Sequence, residues 1–495
     1  MYLSAGRAST HLAVHRSTED DPKMIANIRL DVGWDELCAA LTSSAACGSM
    51  SLLDGAGTRT GRRAVHPVSR GRDGLSWVLS RFGVGAGDEV VVTDLMCDTV
   101  GEAVYSTGAR LVTYGLVPGS FMPSPQSCEQ AISGRTKALI VPHLYGLQTG
   151  LADFASLATE HGLLLIEDSA LSFPVNDGAL EDRQTPAGCS LYSFNYGKPL
   201  AVGWGGLVSL SPSLAAEVGL PPVESMDEED DRFYAAALLV GHVMTDSARR
   251  SGAITRADVG LHLLTAEGGG GRPAVPDRAA VDAVFEAAGE GPAAVLEWCS
   301  RRGSGVRRSW RGTPMPSGVG GAVGRARALA AWLRLGRIGA HGESEAEPME
   351  VLRPGGYAER LLGLQERRLR EGDTAASRRA TASFYAANLD PDRWTFAEAD
   401  QAAYWLSYPV AAKRPLRRDR LVRAVAERLA VDVCPYVWPD VLHRIPRLRG
   451  TVVAGPGSVE SARLVDGLLN LPVHGQMPLE KAKALVELLN EEAAC

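Results

Sequence analysis

The apolar run Leu163-Leu164-Leu165-Ile166 closes on Glu167 and Asp168, and thirty residues past Asp168 stands Lys198, after Ser193-Phe194-Asn195-Tyr196-Gly197 and ahead of Gly203, Gly205 and Gly206. An apolar run that ends in an acid sets that acid at the C-terminal edge of a parallel sheet, where open α/β proteins hold their ligands. There Asp168 would face a ring nitrogen. A pyridinium proton bonded to a carboxylate in a dry site is held by a charge-assisted bond, which keeps the ring an electron sink. A lysine in a glycine-rich, partly desolvated loop is expected to have a lowered amine pKa, as a Schiff-base nucleophile requires. Ser193, five residues upstream of Lys198, would bond a phosphate. Together Asp168 and Lys198 read as a pyridoxal phosphate site. Singly, each has a plainer reading: a strand-end acid is more often a helix cap or solvated, and a lysine before proline, here Pro199, more often marks an exposed turn.

The elements that must position these residues alternate. Helical patterns span Gly74 to Phe82, Cys97 to Ser106 and Asp153 to His161; strands span Glu89 to Val92, Leu111 to Thr113, Ala138 to Val141 and Leu163 to Ile166. Such alternation predicts an α/β fold, a parallel sheet covered by helices. Glycines 83, 85 and 87 precede a strand instead of following one, so they are not a dinucleotide fingerprint. Residues 1 to about 66 read as an irregular leader packing on the large domain, with an amphipathic stretch at Trp34 to Leu41. Beyond Leu210, a long helical pattern over Leu361 to Asn388 suits a connection between two domains. It is followed by a strand at Tyr404 to Val410, a helix at Leu416 to Leu429, a strand at Val431 to Tyr436 and a last helix at Leu479 to Leu489. The basic run Lys413 to Arg423 reads as a solvated helix face.

Composition bounds the partners. Of 495 residues, 45% are hydrophobic and the net charge is −7, which suits a globular chain and argues against nucleic acid as the main partner. The first 23 residues lack the apolar core of a secretory signal, and no run reaches the length of a membrane span. The eight cysteines show neither paired metal spacing nor a compact disulfide framework, so no metal site is expected and a cytoplasmic location is the simplest one.

Several stretches, in order, resemble the sugar aminotransferases of the DegT family: Gly83 to Val90, Thr136 to Gly146, Ile166-Glu167-Asp168, Ser193 to Lys198, Gly205-Gly206 and the closing segment Leu469 to His474. The resemblance covers roughly residues 68 to 210 and 358 to 490. It implies the aspartate aminotransferase-like fold (fold type I) of pyridoxal phosphate enzymes, with a mixed, mostly parallel sheet in a large domain and a small C-terminal α+β domain. The expected division is 1–66 leader, 67–355 large domain with an insertion at about 211–350, and 356–495 small domain. By the same resemblance Lys198 forms the imine with pyridoxal 5′-phosphate, Asp168 pairs with the pyridine nitrogen, and Ser193 contacts the phosphate.

Departures from the family accompany the matches. Gly71-Arg72 stands where the family opens a helix with glycine and threonine, and backbone N–H groups at a helix start form an anion site. Arg72 then either adds charge to the phosphate or points to solvent. Cys97 takes the place of the aromatic residue over the ring, as a smaller neighbour of the ring face or as an inert, buried cysteine. Leu171 replaces a glutamine near the phenolic oxygen, and the asparagine-arginine motif that the family sends across its dimer is not found in Leu210 to Arg353.

Within the insertion, Glu224 to Asp231 is acidic, Gly268 to Gly271 is a hinge or linker, and Arg301, Arg302, Arg307, Arg308 and Arg311 surround Trp310. These arginines either dock a phosphorylated substrate or an acidic carrier protein, or are solvated on a surface insertion. His443 falls where the family's small domain approaches substrate, and a lone histidine is given no role.

The implied activity is transamination from an amino acid donor, glutamate by resemblance, to a keto sugar, cyclitol or related intermediate of specialised metabolism, in a homodimer. Lys198 serves first as nucleophile and then as general acid and base. The alternatives are another carbanion reaction of the same fold (elimination, decarboxylation or carbon-carbon bond formation) and a non-catalytic partner or regulatory protein.

Overall fold

The computed structural model describes residues 62–173, 180–195, 198–202, 205–220, 278–295, 356–398, 403–433 and 440–492, with short pieces elsewhere that include residues 25, 34, 37–38 and 224–225. The first half of the chain builds an eight-stranded sheet. Its strands are β1 (Ala64–Val68), β2 (Glu89–Thr93), β3 (Arg110–Tyr114), β4 (Thr136–Pro142), β5 (Leu164–Asp168), β6 (Cys189–Ser193) and β7 (Gly206–Leu210), closed by the two-residue β10 (Val452–Val453) from far downstream. The order is β1-β7-β6-β5-β4-β2-β3-β10, and only β7 runs against its neighbours.

Side chains alternate along each strand, so each face of the sheet collects its own apolar set. Val92, Ile140 and Ile166 pack with Leu75, Val78 and Leu79 of α1 (Gly71–Arg81) and Val100 and Val104 of α2 (Asp98–Ser106). Val91, Leu139 and Leu165 pack the other way, on Cys128 and Ala131 of α3 (Pro125–Ala131) and Phe154 and Ala158 of α4 (Ala152–His161). Local chemistry sets the helix ends. Ser124 and Ser211 accept the backbone N–H three residues on and each is followed by proline, opening α3 and α5 (Pro212–Val218). Gly162, at φ 64°, ends α4.

Downstream come α6 (Arg278–Glu290), α7 (Gly356–Glu371) and α8 (Asp373–Asn388), then a three-stranded antiparallel sheet of β8 (Trp394–Phe396), β9 (Tyr408–Ala412) and β11 (Leu468–Leu471). With it pack α9 (Arg418–Leu429), α10 (Ser458–Asp466) and α11 (Leu479–Glu492). The core of this unit includes Leu95, Leu144, Tyr145 and Leu147, residues of the loops that leave β2 and β4. The C-terminal part is therefore seated on the C-terminal edge of the large sheet.

The single long helix expected over Leu361 to Asn388 is two helices, because Gly372 adopts φ 86° and an α-helix cannot continue through that conformation. The strand expected at Tyr404 to Val410 begins at Tyr408 instead; Arg378 of α8 holds the carbonyls of Trp405 and Leu406 at 2.9 and 3.2 Å, away from a ladder. In place of a strand from Val431, Val431 makes only an isolated bridge to Ile25 and residues 434–439 lie outside the described residues. The leader reaches the large sheet sooner than expected, since Ala64 already pairs with Leu210. The Gly268 to Gly271 stretch and the arginines at 301 to 311 also lie outside the described residues. Of the acidic run, Asp231 is buried and accepts the Tyr357 N–H at 2.8 Å, tying the insertion to α7.

Candidate active site

Asp168 is the last residue of β5, buried, with its backbone carbonyl accepting from His143 N–H at 3.1 Å. Its Oδ1 accepts the Ala170 N–H at 2.9 Å, and its other oxygen has no protein donor among the described residues. Burial pushes the Asp168 carboxyl up, and the Ala170 hydrogen bond and the Lys198 charge act against that. Lys198 is half-buried in the loop after β6, near enough for its charge to act on Asp168. That loop is pinned at its base: Phe194 donates to Gly205 O at 3.0 Å, Val202 to Phe194 O at 2.8 Å and Gly205 to Ser69 O at 2.8 Å.

The start of α1 lies against the end of β6. A Cβ on Gly71 would come within 3.3 Å of the Ser193 Cβ, and one on Gly206 within 2.5 Å of Tyr192 O and 3.0 Å of Gly71 N. One on Gly74 would strike Val208 at 2.7 Å. Glycine at these places lets a helix N-terminus descend onto two strand ends, so the first turn of α1 sits beside Ser193. Ser193 Oγ accepts from Asn195 N–H at 3.4 Å. The structure thus gathers Gly71 and Ser193 in one place and Asp168 and Lys198 within electrostatic reach of each other.

Arg72 and Cys97 stand differently. The Arg72 guanidinium is paired with Glu102 of α2 at 3.2 Å. Cys97 precedes α2, half-buried, with Sγ 3.1 Å from Thr99 Oγ1. Leu171 is buried.

Two groups that sequence reasoning passed over flank the site. Glu167 points to the opposite face of β5 and is fully buried. It accepts from His143 Nε2 at 2.7 Å, from Ser190 Oγ at 2.6 Å, from Thr185 Oγ1 at 3.2 Å and from both terminal nitrogens of Arg183, Nη2 at 2.6 Å. Burial alone would raise its carboxyl, but the hydrogen bonds from His143 and Arg183 and the Arg183 charge hold it well below the usual range. His143 Nδ1 accepts the Thr149 N–H at 3.0 Å, so its proton belongs on Nε2, toward Glu167. The second group is Asp94, one residue past β2 and fully buried, whose carboxylate meets His443 Nδ1 at 2.7 Å. The Glu167 acid was visible in sequence; its partners on other elements were not.

The loop after β4 is held in unusual backbone. Tyr145 has φ 57° and Gly146 φ 90°, and a Cβ on Gly146 would lie 2.2 Å from Tyr404 O and 3.2 Å from Leu171 O. Only glycine lets the chain ahead of β9 cross so close to the segment after Asp168.

Residues 57–247 match the model of the DegT/DnrJ/EryC1/StrS aminotransferase family, so the sequence resemblance is borne out there. The chain is 33% identical over 160 residues to a pleiotropic regulatory protein of Geobacillus stearothermophilus, covering 31% of this chain and 42% of that one. It is 35% identical over 147 residues to the L-glutamine:2-deoxy-scyllo-inosose aminotransferase of Streptomyces fradiae, covering 29% and 33%. The match thus spans less than half of either relative's length. An aminotransferase, TlmJ, of Streptoalloteichus hindustanus superposes with a TM-score of 0.56 at 20% identity, over 95% of this chain and 99% of that one. The fold is the expected one: a mixed, mostly parallel sheet of the aspartate aminotransferase type, continued by a smaller C-terminal α+β part.

Proposed function

On the premise that residues 57–247 carry the DegT-type aminotransferase sequence, we propose that the chain is a pyridoxal phosphate-dependent aminotransferase. It would move an amino group from an amino acid of the glutamate or glutamine type to a keto sugar, cyclitol or similar biosynthetic intermediate. The observation that carries this reading is the electrostatic reach of Lys198 to buried Asp168, together with the helix start that meets Ser193. The residues fit the cofactor: Asp168 has a carboxylate oxygen without a protein donor among the described residues, and Gly71 and Gly206 leave bare backbone where a Cβ would intrude.

When bound, the cofactor supplies an electron sink for the carbanion formed next to the transferred nitrogen. Asp168 would hold the pyridine N–H, and the first N–H groups of α1 with Ser193 Oγ would hold the phosphate. Lys198 Nζ would anchor the cofactor, then, once displaced by the donor amine, carry a proton between the donor's α carbon and the carbon that receives it. Cys97 would lie against the ring. Glu167 would keep His143 and the loop after β5 in place without touching the reacting atoms. The division into a leader to about residue 66, a large domain to 355 and a small domain from 356, the cytoplasmic location and the homodimer belong to the same reading. No described helix is long and apolar enough to cross a membrane.

The test is absorbance of the cofactor-loaded protein with L-glutamate and L-glutamine in turn. Conversion of the imine band to that of the aminated cofactor, reversed by a keto sugar or keto cyclitol, is the expected result. A band untouched by every amino donor contradicts transamination and favours the regulatory role by which the Geobacillus relative is named.

A further inference from the structure

Ala201 stands three residues past Lys198, between β6 and β7. It is fully buried, so its N–H and C=O need partners inside the protein. Both partners come from one side chain. Gln365 of α7 accepts the Ala201 N–H on Oε1 at 2.8 Å and donates Nε2–H to the Ala201 carbonyl at 3.0 Å. A side-chain amide suits this task because it carries an acceptor and a donor side by side.

Gln365 is itself buried, in the stripe of α7 that also buries Leu361 and Leu369, four residues to either side. Leu361, Leu362 and Leu369 share a core with Leu200 and Val202, the neighbours of Ala201. An apolar residue would suit position 365 in that stripe; the amide is accounted for by the backbone it meets. Downstream of Lys198 the loop is therefore packed on α7 through Leu200 and Val202 and bonded to it at Ala201. Val202 also donates its N–H to Phe194 O at 2.8 Å, which closes the loop on the two sides of Lys198.

We propose that Gln365 is a positioning residue for Lys198, its paired hydrogen bonds to Ala201 fixing the lysine-bearing loop where the amine can react. The inference rests on the aminotransferase reading above. The step at issue is imine formation, in which Nζ bonds the aldehyde carbon of the cofactor and the aldehyde oxygen leaves as water. A cofactor held by its ring nitrogen and its phosphate has its place set by other elements, so the loop alone decides where the amine stands. A displacement of about 1 Å between reacting atoms costs on the order of 100-fold in rate. Gln365 acts through the backbone of Ala201 and takes no part in the bond changes.

The experiment uses the full chain and two probes. Pyridoxal 5′-phosphate reports imine formation, followed by absorbance after mixing and located on Lys198 by borohydride reduction and peptide mass. Pyridoxamine 5′-phosphate has the same ring and phosphate but no aldehyde, so its affinity, read by fluorescence titration, reports the pocket without the lysine bond. In Gln365→Leu, imine formation should slow by about tenfold or more, while pyridoxamine phosphate binds within about twofold of wild type. In Gln365→Glu only the protonated carboxyl restores both bonds to Ala201, so its imine rate relative to wild type at the same pH should rise from about pH 8 to about pH 5.5. A wild-type rate in Gln365→Leu, or a Gln365→Glu ratio that does not change with pH, overturns the inference. Equal loss of both probes overturns it too and leaves Gln365 as a contact of the fold. Should Gln365→Leu not fold, the pH profile of Gln365→Glu decides alone. A wild type that forms no imine overturns the aminotransferase reading, and this one with it.

Discussion

Glu167 and Asp168 are neighbours in the chain, both buried acids at the end of one strand, yet they are opposites. Glu167, on the α3–α4 side, is saturated with donors from His143, Arg183, Thr185 and Ser190, and its carboxyl is held well below the usual range. Asp168, on the α1–α2 side, has one backbone donor at 2.9 Å, and burial raises its carboxyl. Saturation marks a group that holds the fold; a carboxylate oxygen left open in a dry place marks one waiting for a ligand's proton.

Substitution separates the two most sharply. Asp168→Asn should cost about 10²–10³-fold in amine transfer, because the ring proton loses its charged acceptor. At neutral pH without cofactor the same variant should melt no lower than wild type, since it removes a buried charge that burial disfavours. Normal transfer rates in this variant would remove Asp168 from the chemistry. Glu167→Gln should do the reverse, with a stability loss of about 3–5 kcal/mol seen in thermal melts, as Arg183 is left without its anion. An unchanged melt would mean that the Glu167 network contributes little.

The pH dependence of the two acids has opposite sign. Glu167 titrates lower in the folded chain than in the unfolded one, so its stabilisation is complete above the ordinary glutamate pKa and disappears as pH falls toward the depressed value. Asp168 titrates higher when folded, so its contribution becomes less favourable as pH rises from the ordinary aspartate pKa through the raised one. On acidification the Glu167→Gln melt should therefore approach wild type from below, and the Asp168→Asn melt should approach it from above. Parallel curves would contradict the contrast.

Smaller effects sharpen the phosphate end. Gly206→Ala places a Cβ 2.5 Å from Tyr192 O and 3.0 Å from Gly71 N, so the helix start must move. About 1–3 kcal/mol of stability should be lost, together with cofactor affinity measured by fluorescence titration. Loss of stability with full cofactor affinity would place the phosphate elsewhere. Arg72→Thr should change stability by about 1 kcal/mol or less, because its pair with Glu102 is part-exposed. If cofactor affinity also stays constant, Arg72 belongs to Glu102; a tenfold weakening would show that it turns to the phosphate.

The sequence made one side of this contrast legible and hid the other. An apolar run ending in an acid, and a lysine among glycines, are local signals, and both Asp168 and Lys198 could be singled out from them. β6 and β7 were not read as strands, because Cys189–Ser193 and Gly206–Leu210 are short and serine- or glycine-containing; pairing in the middle of the sheet defines them. The break at Gly372 lies inside a continuous helical period and needed backbone geometry to be seen. The Glu167 and Asp94 networks draw partners from up to 349 residues away, and no local pattern announces such a meeting.

The most direct test is the absorption spectrum of the purified chain with pyridoxal 5′-phosphate, for wild type and Lys198→Ala. A borohydride-reducible imine band in wild type that is absent from Lys198→Ala, with the reduced adduct located on Lys198 by peptide mass, is the predicted result. An imine band of equal strength in both proteins, or no band in wild type, contradicts the convergence of Lys198 and Asp168 on one cofactor.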